Sequence, residues 1–479
     1  MRRRNVHRRQ GAHARRGRGW VLAAAGLAVV LVAAGVTAAL TGRPRPGRQA
    51  TDPAPTSTLP ALTTAPPTTS VPSTNVVWMV AWGSAMAWGG RVPAVDATIR
   101  DLATVATGGS AVKIRISNLF GNAALAIGAA TVGLSAGGAA VTAGTIHALT
   151  FGGTPATTIP EGQVAYSDPV NLVVSAGQTL AISVYVTAPD LVSQHACCTR
   201  IAAYYTPNQK GNLTATVTGA GFSYASPDIR LVDNVDVLQS VGQGAIVVVG
   251  DSITDGYNSV LRWTHVLQER IDALPPAERR PVVNEGITAD AILPATPLVH
   301  TDELTGGGQA GVVRLTRDAL QQPGVSEVVM FLGTNDLWFG STAAEVIEGY
   351  QQAISLAHAA GVRIIGVTLL PRQSTANEIW TAQDQANLEQ VDQWIRTSGA
   401  FNGVLDFASA VADRFDGQCV PTSMFGHYDS GDHLHPNPAG QTAMADSVDP
   451  AVLQLPALPQ VPLLVGATPT PGCAQTSPG

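Results

Sequence analysis

Ala245-Ile246-Val247-Val248-Val249-Gly250-Asp251-Ser252-Ile253-Thr254-Asp255-Gly256 is the stretch that decides the fold. Its apolar run, Ala245–Val249, is unbroken, which predicts a strand covered on both faces, because a half-exposed strand would alternate. A glycine, an acid and a serine follow at once. Downstream, Trp263, Val266, Leu267, Ile271 and Leu274 share one helical face, and Pro275-Pro276 stops that helix. A buried strand that runs into a polar turn and then a helix opens a parallel α/β sheet. In such sheets, ligands bind beyond the carboxyl ends of the strands. Ser252 stands at such an end.

The pattern repeats along the chain. Val282-Val283, Val328–Leu332, Val362–Leu369 and Val404–Phe407 read as further strands. Between them, Thr342-Ala343-Ala344-Glu345 is a capping-box opening for a helix that Gly361 ends, and another helix carries Leu388, Val391 and Ile395. Alternating strands and helices predict a three-layer α/β/α domain with a parallel sheet. Two more polar islands follow strand ends, Asn284-Glu285-Gly286 and Gly333-Thr334-Asn335-Asp336. A fourth, Asp432-His433-Leu434-His435-Pro436, lies near the end of the domain.

Together the islands hold the inventory of an acyl-transfer site. Ser252 is the candidate nucleophile and His435 its base. Asp432, three residues before His435, is placed to hold the imidazole tautomer. Three groups are the candidate oxyanion donors: the Ser252 N–H, the Gly286 N–H and the Asn335 side chain. Gly286 has no side chain to keep a carbonyl away. His433 and His427 are the competing histidines and read as surface or packing residues. Asp251 is expected to order its turn and Asp336 to brace its loop. Trp338 and Phe339 are candidates for lining an acyl or aryl pocket, with a place in the core as the alternative. This chemistry calls for no metal or cofactor.

In this order the islands resemble the SGNH (GDSL-type) hydrolase superfamily. Ser252 matches block I, Gly286 block II, Asn335 block III, and Asp432 with His435 block V. The resemblance runs from about Gly242 to Leu455. The Gly250–Gly256 and Tyr428–Pro436 runs are similar to a secreted arylesterase/acylhydrolase subfamily whose members carry an upstream β domain, and Ser117-Asn118-Leu119-Phe120-Gly121 resembles an element of that domain. One departure bears on the block II turn: a second glycine often stands three residues on, and here that position is Ala289. The resemblance implies a serine esterase that forms an acyl-enzyme on Ser252. It implies short-chain acyl or aryl esters as substrates, or carbohydrate O-acetyl esters, including polysaccharide-linked ones. A cell-surface O-acyltransferase and a glycan-binding protein with an inert hydrolase domain are the alternatives.

The remaining segments set the context. A chain of 479 residues suggests two domains plus non-globular segments. Residues 76–238 read as all-β, a sandwich or jelly-roll: Val112, Ile114 and Ile116 alternate with Lys113, Arg115 and Ser117, and Gly-rich turns recur. Its Trp78, Trp82 and Trp88 read as core residues, with sugar stacking as the alternative. The hydrolase-like domain is expected over 239–457 and a flexible tail over 458–479.

Residues 1–19 carry eight Arg, and an uncharged apolar run of 22 residues follows, over 20–41. That run is long enough for a bilayer core of ~30 Å. It reads as a signal anchor with the basic segment cytoplasmic, or as a signal peptide cut after Val36-Thr37-Ala38. The expected placement is the cell membrane, single-pass with extracytoplasmic domains, or secretion if the segment is cleaved. A Pro/Thr-rich linker, 42–75, follows.

Eleven of the 28 basic residues lie in the first 50, which hold no acid, so the remainder carries 17 basic against 34 acidic side chains. That balance argues against a nucleic-acid partner. Cys197, Cys198, Cys419 and Cys473 make an even count, which in an exported chain favours disulfides and leaves three pairings open.

Overall fold

The computed structural model describes residues 76–195, 202–240, 242–294, 307–374, 379–412, 414–415, 421–424 and 427–459. The expectations for the basic segment, the apolar span, the linker, the four cysteines and the tail beyond 459 fall outside these residues. Among the described residues, no helix is long and apolar enough to cross a membrane.

The α/β part is built on a five-stranded sheet in the order Val282–Gly286, Ala245–Gly250, Val325–Phe331, Arg363–Val367, Val404–Leu405. All four pairings are parallel, with Gly250 beside Gly286 on one side and Phe331 on the other. The apolar run of the central strand behaves as its pattern requires. Ala245, Val247 and Val249 join one hydrophobic cluster; Ile246 and Val248 join another on the opposite face. Helices Ala343–Ala359 and Ala382–Thr397 cover the first face, Trp263–Asp272 and Pro438–Asp446 the second. The capping box at Thr342 and Glu345 forms, with the Thr342 N–H donating to Glu345 Oε2 at 2.7 Å. A second box, Thr381 with Asp384, opens the next long helix.

The upstream region is a sandwich of antiparallel sheets. One sheet has the order Val76–Gly83, Val232–Ser240, Val112–Asn118, Gln163–Tyr166. The larger one runs Tyr224–Ser226, Ala203–Tyr205, Ala97–Thr104, Thr179–Val186, Leu125–Gly137 and on to Ala140–Val141. Inward residues such as Val80, Ile114, Ile116, Ile127, Ile182 and Val184 fill the space between them. A small third sheet, Ile229–Arg230, Ser193–His195, Trp88–Gly89, forms its own ladder, and the Arg230 N–H donates to Asp101 of strand Ala97–Thr104.

The β and α/β regions belong to one compact unit, and one hydrophobic cluster runs through both. The Val80 N–H donates to the Pro323 carbonyl at 2.8 Å. Gly83 lies against the edge strand so closely that a Cβ there would come within 2.8 Å of the Val283 side chain and into Glu285. Gln322 bridges the seam: its amide donates to Glu285 at 2.6 Å and its oxygen accepts from Asn234 at 2.5 Å, all three side chains being buried. Buried polar groups at such a seam must be paired to be tolerated, which fixes how the two sheets register against one another.

Candidate active site

Three of the polar islands meet where the central strands end. Asp251 caps the short helix Ser252–Asp255 by accepting from the Ile253 N–H at 2.9 Å. Ser252 is thereby the first residue of a helical turn, and its own N–H has no hydrogen-bond partner among the described residues. Ser252 Oγ lies 2.8 Å from His435 Nε2. His435 Nδ1 lies 2.7 Å from Asp432 Oδ2, and the same loop folds back so that Asp432 Oδ1 accepts from the Leu434 and His435 N–H groups at 3.1 and 2.8 Å.

Burial pushes the Asp432 carboxyl up. The His435 hydrogen bond and charge, with the two backbone N–H groups, outweigh it and hold the group well below the ordinary carboxylate range. Asp432 therefore remains an anion wherever the imidazole is active.

The sequence reasoning missed two neighbours of this pair. Asn258, at φ 56°, donates from Nδ2 to Asp432 Oδ2 at 2.7 Å, and the Tyr257 ring leans on His435 with centroids 4.8 Å apart. Only the side-chain composition of the Tyr257-Asn258 turn after Gly256 could have flagged them.

His433, the competing histidine, is turned elsewhere: its Nδ1 is paired with Asp429 Oδ2 at 2.7 Å. Asn335 is buried at the start of helix Thr334–Trp338 and donates from Nδ2 to the Asp290 carbonyl at 2.7 Å. That bond uses one of its two amide hydrogens and fixes the direction of the other. Asp336 accepts from the Ile292 and Leu293 N–H groups at 2.9 and 3.0 Å, and so ties the third island to the turn after the second.

The second island departs from the sequence expectation. The Gly286 N–H, expected to face an oxyanion, donates to Asn284 Oδ1 at 2.9 Å. Gly286 is still required, because a Cβ there would meet the Asp255 nitrogen at 2.7 Å, but as a close-packing residue at a strand end. The N–H left without a partner among the described residues is that of Ala289, at φ 61°. This is the position where the resembled pattern often has its second glycine, and the left-handed backbone supplies the reason, since only glycine adopts it without a Cβ penalty. The departure at 289 was the available signal.

Arg314, wholly buried, holds the base of this turn. It is paired with Asp290 at 2.6 Å and donates to the carbonyls of Glu285 and Gly250 at 2.7 and 3.2 Å.

The aromatic candidates stand next to one another at the end of helix Thr334–Trp338. Trp338 and Phe339 pack edge to face, centroids 4.4 Å apart, and the Arg372 guanidinium lies 5.1 Å from the Trp338 ring. On its other side Arg372 lies 5.0 Å from Trp380. Trp380, with Arg372, Gln373, Ser374, Gln385 and Glu389, lines a pocket of about 320 Å³, and Trp338 and Phe339 are not among its lining residues. The Gln373 N–H donates to the His433 carbonyl at 3.1 Å, so this pocket adjoins the block V loop.

Residues 248–443 match the family model described as GDSL-like lipase/acylhydrolase family. This part of the chain is thus a GDSL-like lipase/acylhydrolase domain, and the protein is an ester-bond hydrolase. No curated protein matches the chain. Among solved structures, the native aryl esterase of M. smegmatis is similar at 18% identity and a TM-score of 0.35, over 44% of this chain and 99% of that one. A member of the lipolytic protein G-D-S-L family from Veillonella parvula DSM 2008 is similar at 19% identity and a TM-score of 0.31, over 42% and 94%. A GDSL-like lipase from Bacteroides thetaiotaomicron VPI-5482 is similar at 14% identity and a TM-score of 0.33, over 44% and 89%.

Proposed function

We propose that the protein is an extracytoplasmic serine esterase that cleaves carboxylic esters through an acyl-enzyme on Ser252. The observation that carries this is the hydrogen-bonded line Ser252 Oγ–His435 Nε2 at 2.8 Å and His435 Nδ1–Asp432 Oδ2 at 2.7 Å. Ser252 Oγ attacks the ester carbonyl carbon and its proton passes to His435 Nε2. Asp432, held as an anion, keeps the ring oriented and stabilises the imidazolium. The tetrahedral oxyanion is received by the N–H groups of Ser252 and Ala289 and by the second amide hydrogen of Asn335. Collapse breaks the bond to the alcohol oxygen, which leaves with the proton from His435. Water, deprotonated by His435, then attacks the acyl carbon and regenerates Ser252.

The substrate class proposed is a short acyl or aryl ester, or an O-acetyl group on a sugar. A pocket beside the catalytic loop that presents one indole among Arg, Gln, Ser and Glu side chains suits an alcohol portion that is ringed and hydroxylated. The apolar run over 20–41, behind a segment rich in Arg, supports an anchor or export signal with the enzyme outside.

Hydrolysis of p-nitrophenyl acetate, butyrate and octanoate by the full chain, beside Ser252→Ala, tests the reading. Turnover of the shorter esters, abolished by the substitution, is the expected result. Undiminished turnover in Ser252→Ala would sink the assignment of the nucleophile. Acyl transfer to an added sugar in place of acid release would make the enzyme a transferase.

A further inference from the structure

The β region reaches the turn that carries Ala289. Its small sheet ends in His195, a residue 4% exposed, whose Nδ1 lies 2.8 Å from the Ala85 carbonyl and whose Nε2 lies 3.3 Å from Asp255 Oδ1. Both partners are acceptors. The ring is thus tied at both nitrogens, to the backbone of the β region on one side and to the carboxylate on the other. Asp255, 1% exposed, closes the helical turn that Ser252 opens. Its second oxygen accepts twice from the block II turn, from the Thr288 N–H at 3.1 Å and the Thr288 hydroxyl at 2.7 Å. Thr288 is the residue before Ala289. The same turn is pressed from the β side by a small apolar cluster in which Ala85, Ala87 and Trp88 pack on Ile287.

We infer that His195 of the β region is a positioning residue for the ester-hydrolysing site: through Asp255 it fixes Thr288, and so aims the Ala289 N–H at the oxyanion. The inference rests on the proposed roles of Ser252 and Ala289. It gives the β region a part in the reaction itself, since the chain His195–Asp255–Thr288 links a strand of that region to the helical turn of the nucleophile and to the turn of a donor. A donor is worth most when it is held before charge develops. A misplacement of ~1 Å can cost on the order of 10²-fold in rate.

The test uses the full chain and p-nitrophenyl acetate, with kcat, KM and Tm measured for each variant. His195→Asn keeps a donor near the Ala85 carbonyl but falls short of Asp255. It is expected to lower kcat by about 10- to 10²-fold with KM within about twofold. His195→Gln can reach Asp255 with an amide N–H and should recover part of the loss. From the other end of the chain, Thr288→Val removes one bond to Asp255 and should lower kcat, while Thr288→Ser restores it. Because both ends act through Asp255, His195→Asn combined with Thr288→Val should cost less than the product of the two.

A loss confined to KM, an equal loss in the Asn and Gln variants, or independent effects of the two sites would each overturn the positioning role. If His195→Asn does not fold, the Thr288 pair decides. Ser252→Ala is run beside them. Activity that survives this change removes the nucleophile reading and the inference with it. Activity that depends on Ser252 but is untouched in His195→Asn removes the inference alone.

Discussion

Two histidine–aspartate pairs flank Ser252, one on the loop after the last strands and one at the seam with the β region. His435 faces Asp432 with one nitrogen and the Ser252 hydroxyl with the other. A hydroxyl both donates and accepts, so that nitrogen can take a proton and return it. His195 faces Asp255 with one nitrogen and a backbone carbonyl with the other. A carbonyl only accepts, so on that side the ring has no hydroxyl from which to take a proton. The two pairs are chemically alike and both lie against the helical turn of the nucleophile. What separates a base from a clamp is the group on the far nitrogen.

The sharpest way to break this comparison is to neutralise each carboxylate in turn. Asp432→Asn should lower kcat by on the order of 10⁴-fold, because the amide favours the wrong tautomer. Asp255→Asn should cost far less, since no proton passes through it. Equal losses, measured as kcat at saturating p-nitrophenyl acetate, would erase the distinction between base and clamp.

An intermediate effect is expected where both pairs converge, at the oxyanion. Asn335→Ala should lower kcat by about 10²- to 10³-fold with little change in KM. A change in KM alone would assign Asn335 to the architecture of the turn.

The smallest effect separates two aspartates of one turn by pH. Burial pushes Asp251 up to about 7, against the Ile253 N–H that it accepts. Burial also pushes Asp255 up, but the His195 charge and hydrogen bond, Arg262 and Thr288 outweigh it and leave the group below the ordinary carboxylate value. The two therefore contribute to stability with opposite signs. The contribution of Asp251 is complete below the unfolded value of about 3.9 and is lost as pH rises through about 7. That of Asp255 is present above the unfolded value and is lost as pH falls through its folded one. In thermal melts between pH 3 and pH 8, Asp251→Asn should flatten the decline towards neutral pH, and Asp255→Asn should flatten the acid limb. A wild-type slope in either variant would contradict the corresponding direction.

Much of the catalytic domain is legible along the chain because its signals are local. The unbroken run Ala245–Val249 could only be a strand covered on both faces, and its alternate residues do enter two separate clusters. The capping box at Thr342 and Glu345 forms within four residues and needs no distant partner. The aromatic candidates were less legible. An indole after the third island looks alike whether it lines a pocket or supports an arginine, and Trp338 supports Arg372 while Trp380 lines the pocket. Asn258 gave only the weak signal of a polar turn after Gly256 and His195 gave none, because one asparagine or one histidine in a polar turn or short strand is ordinary.

The sequence by itself determined the strand–helix alternation, the side chains offered at the strand ends and the family to which the domain belongs. Apolar periodicity and turn chemistry act over a few residues and survive any tertiary arrangement. Only the tertiary structure decided which donors remain free and which side chains meet. Asn284 turns onto the Gly286 N–H, a choice made by where one amide can point once Thr254 and Thr264 have taken its hydrogens, while the Ala289 N–H has no partner among the described residues. His435 reaches Ser252 across 183 residues of chain and His195 reaches Asp255 across 60. Contacts at such separations follow from how the sheets pack, and no local pattern encodes them.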